Sequence, residues 1–210
     1  MTNETRIQVK EKVILFDLNG TLLDLKPNTT RFPSAIETDD IYKSIQPELL
    51  DLNKQYGNWI LRYLAAEADA VRNGDLTVHL KESVTDMLKK LRDGGALIGC
   101  FSGGDYNTIN LPLKVAGIRQ YFQDELIIPA MGQFGLNASK KKQDTWYKLG
   151  EYLQSREYSL DSFIDDDEEI CQVARYTGIP KRVFHVNPSK LNTRGGIIPI
   201  KSLESFCAYI

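Results

Sequence analysis

The run Val13-Ile14-Leu15-Phe16 constrains the fold of this chain more than any other feature. Four apolar residues without alternation read as a strand buried on both faces, the pattern of a parallel sheet covered on its two sides. The run empties onto Asp17, followed by Leu18, Asn19, Gly20 and Thr21. Open α/β sheets place their chemistry at the carboxyl ends of such strands. A carboxylate there can attack an electrophile or ligate a hard cation, which makes Asp17 the first candidate active-site residue.

The same succession of strand, polar tip and helix returns along the chain. Residues 96–101 read as a second buried strand, which empties onto Ser102-Gly103-Gly104-Asp105. Short strands are predicted over 125–128, over 162–164 ahead of Asp165-Asp166-Asp167, and over 182–186. Helices are predicted over 81–91, 108–116, 144–156 and 168–177, with a closing helix over 203–209. Such alternation gives a parallel sheet with right-handed crossovers. Between the first and second strands, 24–36 reads as loop and 39–44 and 47–73 as helices. Pro47 suits the first turn of the longer helix and Gly74 its end. Tyr56, Trp59 and Tyr63 lie on its apolar stripe, and they either pack or face a substrate. The expected architecture is one Rossmann-like α/β domain, with a core of 1–27 and 76–210 and a small helical cap over about 28–75.

Composition narrows the function classes. A chain of 210 residues, 42% of them hydrophobic, can bury one full core. The net charge is −2 and the longest basic run is Lys140-Lys141-Lys142, so there is no electrostatic footprint for nucleic acid. No stretch approaches the roughly 18 apolar residues of a membrane span. The opening MTNETRIQVKEK lacks the apolar centre of a secretory signal, so a cytoplasmic location is expected. Leaderless export by a specialised secretion system would leave the same signature. Cys100, Cys171 and Cys207 show neither disulfide nor zinc spacing and read as reduced thiols. His79 and His185 receive no role.

Asp17, Ser102 and Asp166 each sit at a strand tip, and the lysine run precedes the last of them by about two dozen residues. In a parallel sheet all four groups can converge at the carboxyl edge. This order of Asp-x-Asn-Gly-Thr-Leu, apolar-Ser, Lys and Asp-Asp resembles the haloacid dehalogenase-like phosphohydrolase superfamily over nearly the whole chain. The acidic run 165–169, with Ala174 and Gly178-Ile179 behind it, has the spacing of that family's fourth motif. Stretches 78–102 and 139–166 look most like the magnesium-dependent phosphatases, a small-capped branch with aryl and protein phosphotyrosine activity.

The resemblance implies a mechanism. Asp17 attacks phosphorus and forms an aspartyl-phosphate. Asp17, Asp166 and the Asn19 carbonyl hold Mg²⁺, with Asp165 helping directly or through water. Ser102, Gly103 and a lysine hold the transferring phosphoryl oxygens. Lys142 is the favoured lysine, because Trp146 four residues on matches the aromatic of the small-capped branch; Lys140 fits the spacing of the wider superfamily. The implied partner is a phosphorylated substrate, a phosphotyrosine protein among the candidates.

Asn19 departs from the family, whose phosphatases mostly carry aspartate there to protonate the leaving oxygen. An amide donates a hydrogen bond but exchanges no proton at useful pH. General acid–base catalysis is worth roughly 10²–10⁴-fold, so its loss weighs most on basic leaving groups. A phenolate, with a pKa near 10, needs far less help than an alkoxide. Aryl phosphates are therefore favoured over sugar, serine or nucleotide esters, with a small-metabolite phosphatase as an alternative reading. Three alternatives stay open: another base among Asp165, Asp167 and Asp105, a phosphoprotein-binding module with weak turnover, or a substitution introduced deliberately to trap an intermediate. Halide displacement is disfavoured, because an acidic cluster implies a metal that this chemistry does not need.

Overall fold

Strand β1 (Glu11–Phe16) lies in the interior of a six-stranded, wholly parallel sheet, as its unbroken apolar run requires. The computed structural model of the chain describes residues 11–31, 41, 59–188 and 194–210. β4 (Leu97–Ser102) and β6 (Tyr158–Asp165) flank β1; β5 (Ile127–Pro129) lies outside β4, and β7 (Arg182–Val186) and β8 (Ile197–Ile200) lie outside β6. Successive residues of β1 point to opposite faces. Ile14 and Phe16 pack with helices α2 (Val84–Asp93), α3 (Tyr106–Val115) and α7 (Leu203–Phe206). Val13 and Leu15 pack with α5 (Gln143–Gln154) and α6 (Glu168–Thr177) on the other side. The result is the expected three-layer α/β architecture.

Several elements depart from the sequence reading. β6 starts four residues before the predicted 162, because its first half is polar and half-buried and only Phe163 and Ile164 form an apolar run. Residues 24–36 are not all loop: β2 (Leu23–Pro27) pairs antiparallel with β3 (Leu76–Leu80) as a separate two-stranded sheet. Asp24, Lys26 and Pro27 are poor strand formers, and β2 exists only through its distant partner. β8 is missed for a related reason. Its Pro199 argues against an interior strand but is tolerated on this outermost one.

The insertion between β2 and β3 is the segment expected to form a cap. The predicted helix 39–44, apart from Ile41, and the first part of 47–73 lie outside the described residues. The remainder is helix α1 (Trp59–Asn73), which packs Ala66, Ala70 and Val71 with Ile41 and Leu76 and meets Leu111 of α3. Tyr63 joins this packing. Leu64 lies against Gly104, which sets α1 beside the loop that follows β4. The root of the insertion is tied by an Arg31–Asp75 ion pair at 2.8 Å and by Asn28 Nδ2 donating to the Gly74 carbonyl at 2.7 Å. Among the described residues no helix is long and apolar enough to cross a membrane.

Candidate active site

Phe16 on β1 stands opposite Ile164 on β6, so the next residues, Asp17 and Asp165, leave the sheet side by side. The Asp17 N–H donates to the Ile164 carbonyl at 2.8 Å, which carries the strand pairing up to the carboxylate itself. Both side chains are buried, with only 6% of Asp17 and 1% of Asp165 exposed. The buried Lys140 ammonium sits between them, donating to Asp17 Oδ1 and to Asp165 Oδ2, the latter at 2.7 Å.

A core indole fixes this lysine. Trp146 on α5 donates its Nε1–H to the Lys140 carbonyl at 2.7 Å. The Trp146 ring packs edge-on against Phe163 and Phe101, with centroids 4.7 and 5.2 Å away. Lys140 Nζ lies 5.9 Å from the Phe163 ring centre. The expectation that Lys142 faces the phosphate therefore changes. Its ammonium turns outward to the Asn137 carbonyl at 2.8 Å, and Lys140 is the lysine beside the carboxylates. Trp146 remains the pointer, but through its hydrogen bond to residue 140 rather than through a spacing of four. Lys141 turns to the surface and pairs with Asp167 at 3.1 Å and Glu169 at 2.6 Å.

Asp166 stands exposed at the turn after β6, and Thr21 Oγ1 donates to its Oδ1 at 2.8 Å. Gly20 makes that approach possible. Its φ is +87°, and a Cβ there would fall 2.3 Å from Asp166 Oδ2. Thus any side chain at position 20 would be strained and would also push Asp166 away. Ligand oxygens of Asp17, Asp165 and Asp166 lie within 4.8 Å of one another.

The electrostatics follow from three carboxylates facing one ammonium. Burial raises the Asp17 carboxyl above its ordinary value, against the opposing pull of Lys140. Burial likewise pushes Asp165 up to about 7; Lys140 opposes the rise and Asp17 adds to it. Burial pulls the Lys140 ammonium down, but Asp17 and Asp165 outweigh it and hold it above the usual lysine value. Fully ionised, the three carboxylates would carry more negative charge than Lys140 balances. Their hard oxygen donors and this unbalanced charge fit a divalent cation.

The other expected residues divide. Ser102 ends β4, which neighbours β1 at the same sheet edge, and is partly exposed; the following Gly103 faces open space. Asn19 is exposed, and its Oδ1 accepts the Leu25 N–H at 3.2 Å. Asp105 caps α3 by accepting from Thr108 N–H at 2.9 Å, and Asp167 caps α6 by accepting from Glu169 N–H at 2.8 Å. Among the three candidate bases, only Asp165 touches the Lys140 ammonium that Asp17 shares. Two residues without a sequence role reach the acidic turn: Thr21, described above, and His185, whose Nε2 lies 3.0 Å from the Asp166 carbonyl. Cys100 and Cys171 are buried free thiols and Cys207 a half-buried one.

The family profile of haloacid dehalogenase-like hydrolases matches residues 11–155, so the chain belongs to that family of hydrolases. No curated protein matches it at the sequence level. Among solved structures, a dehalogenase superposes with a TM-score of 0.62 at 15% identity, over 95% of this chain and 97% of its own. A HAD phosphatase from Thermococcus onnurineus gives 0.61 at 16% identity, over 94% of this chain and 97% of its own. YfnB, a putative HAD-hydrolase from Bacillus subtilis bound to magnesium, gives 0.59 at 14% identity, over 95% and 98%. At these identities the likeness is one of fold.

Proposed function

We propose that this hydrolase is a Mg²⁺-dependent phosphatase that works through an aspartyl-phosphate on Asp17 and acts best on aryl phosphates, protein phosphotyrosine included. The observation that carries the reading is Lys140 held between buried Asp17 and Asp165, with Asp166 completing a carboxylate trio. Asp17, Asp166 and the Asn19 carbonyl would hold the cation, with Asp165 beside them. When bound, the cation supplies positive charge that screens the carboxylates from an incoming phosphate dianion.

An Asp17 oxygen attacks phosphorus, the bond to the leaving oxygen breaks, and the leaving group departs with the electron pair. Water then attacks the aspartyl-phosphate at phosphorus, releasing inorganic phosphate and restoring the carboxylate. Lys140 keeps Asp17 oriented and, with Ser102 and Gly103, offers donors to the equatorial oxygens as charge spreads over them. Asn19 cannot hand a proton to the departing oxygen, and its amide oxygen is engaged by its own loop. Leaving groups that depart as stable anions are accordingly favoured, and a phenolate is one. The fold is shared with a dehalogenase, but a three-carboxylate cluster suited to a cation favours phosphoryl chemistry over halide displacement.

Hydrolysis of para-nitrophenyl phosphate with Mg²⁺ tests the reading. Asp17→Ala should lower kcat by about 10⁴-fold or more, as removal of a covalent nucleophile does. Equal rates for variant and wild type would end the enzyme reading. The same Asn19 amide supports a second one, a phosphoprotein-binding module with weak turnover, which predicts phosphate binding without hydrolysis. Phosphotyrosine peptides should also turn over faster than phosphoserine peptides. Equal rates on both would remove the leaving-group argument.

A further inference from the structure

His185 is a polar contact of the acidic turn that the mechanism above does not use. It stands near the carboxyl end of β7, opposite Asp165 on β6 and one strand removed from Asp17. Its Nε2 lies 3.0 Å from the Asp166 carbonyl oxygen. A carbonyl only accepts, so Nε2 carries the proton and donates.

The peptide plane between Asp166 and Asp167 is thereby gripped on both sides. Its C=O accepts from His185 at 3.0 Å, and its N–H donates to Asp165 Oδ1 at 2.8 Å. A trans peptide is rigid and planar, with its C=O and N–H pointing in opposite directions, so one contact orients the other. Donation to the carbonyl also polarises the amide and strengthens its N–H as a donor. On the far side of the residue, Thr21 holds Asp166 Oδ1 at 2.8 Å. The Asp166 side chain is exposed and lies beyond the last paired residue of β6, so these contacts are what hold it. His185 acts from a neighbouring strand on two carboxylates of the trio without touching either carboxyl group.

We propose that His185 is a positioning residue of the cation site: by holding the Asp166 carbonyl it sets the aim of Asp166 and orients the N–H that Asp165 accepts. The inference rests on the metal-dependent reading of the trio. Partners of this kind, one bond removed from a ligand, change metal affinity by about 10–100-fold when lost. The informative variants are His185→Phe, which keeps the ring's bulk without a donor, and His185→Gln, whose amide can donate from a similar reach.

The test is Mn²⁺ binding to the full chain, followed by calorimetry and by thermal unfolding with Mn²⁺ and with EDTA. Mn²⁺ takes the same oxygen donors in octahedral geometry. His185→Phe should bind Mn²⁺ about tenfold more weakly and lose part of the thermal stabilisation that Mn²⁺ gives the wild type. His185→Gln should recover most of both. If wild type and His185→Phe bind Mn²⁺ equally, the positioning role is overturned while the metal reading stands. An equal loss of thermal stability in EDTA and in Mn²⁺, with unchanged affinity, would likewise reduce His185 to a packing residue. Absence of Mn²⁺ binding to the wild type would overturn the metal reading and the inference with it.

Discussion

Two aspartates of β6, one at mid-strand and one at its carboxyl end, each face a cation from another element, and they behave in opposite ways. At mid-strand Asp161 Oδ2 pairs with Arg182 and also accepts a hydrogen bond from Ser162 Oγ at 2.9 Å. Burial there pushes the Asp161 carboxyl up, but Arg182 and Ser162 outweigh it and leave it below the usual aspartate value. At the carboxyl end Asp165 meets Lys140, yet its carboxyl is pushed up to about 7. Residue type and partner charge are the same at both positions. Burial and charge count differ: one carboxylate per cation with solvent at hand, against a buried pair and an exposed third around a single ammonium. The first arrangement is a structural ion pair. The second crowds carboxyl groups that either keep a proton or gain a further positive group, and a bound cation would supply that group.

That contrast can be broken by removing each cation in turn. Lys140→Met strands two buried carboxylates and should cost about 3–5 kcal/mol in urea unfolding without divalent metal. Arg182→Met, at the more exposed pair, should cost about 0–1 kcal/mol. Equal losses would mean that the two pairs are electrostatically alike.

Adding charge to the crowded end sharpens the comparison. Asn19→Asp places a proton-exchanging group two residues after Asp17 and should raise kcat/KM on an alkyl phosphate by about 10²-fold, with a smaller gain on an aryl phosphate. A larger gain on the aryl ester would contradict the role assigned to Asn19.

The smallest effect belongs to Asp161. The Asp161 carboxyl is held below its unfolded value of about 3.9, so its stabilising contribution is complete above that pH and fades as pH falls through the folded value. Asp161→Asn should therefore cost under about 1 kcal/mol near neutrality, and the gap from wild type should close in acid. A gap that widened in acid unfolding curves would reverse the sign argued here.

How much of the site was legible depended on where each residue stands relative to a strand tip. Asp17, Ser102, Asp165 and Asp166 each terminate a recognisable apolar run, so their convergence followed from the parallel sheet alone. The lysine did not, because three adjacent lysines leave a strand-free loop in three directions. The choice of Lys140 is made by Trp146, whose buried indole takes the Lys140 carbonyl as its partner. His185 left no local signal, since it acts on Asp166 from another strand, 19 residues away; Thr21 stood in the Asp-x-Asn-Gly-Thr-Leu run, which gave no sign of its partner 145 residues on. A half-buried strand histidine reads the same whether or not a carbonyl waits opposite.

The sequence by itself determined the parallel sheet, the alternation of strand and helix, and the carboxylates at the sheet's edge, because apolar period and turn chemistry are local properties. The tertiary structure alone decided which lysine enters the carboxylate cluster, that β2 and β3 pair across the insertion, and that His185 and Thr21 hold the acidic turn. Those outcomes depend on contacts between residues far apart in the chain, and such contacts exist only once the layers have packed.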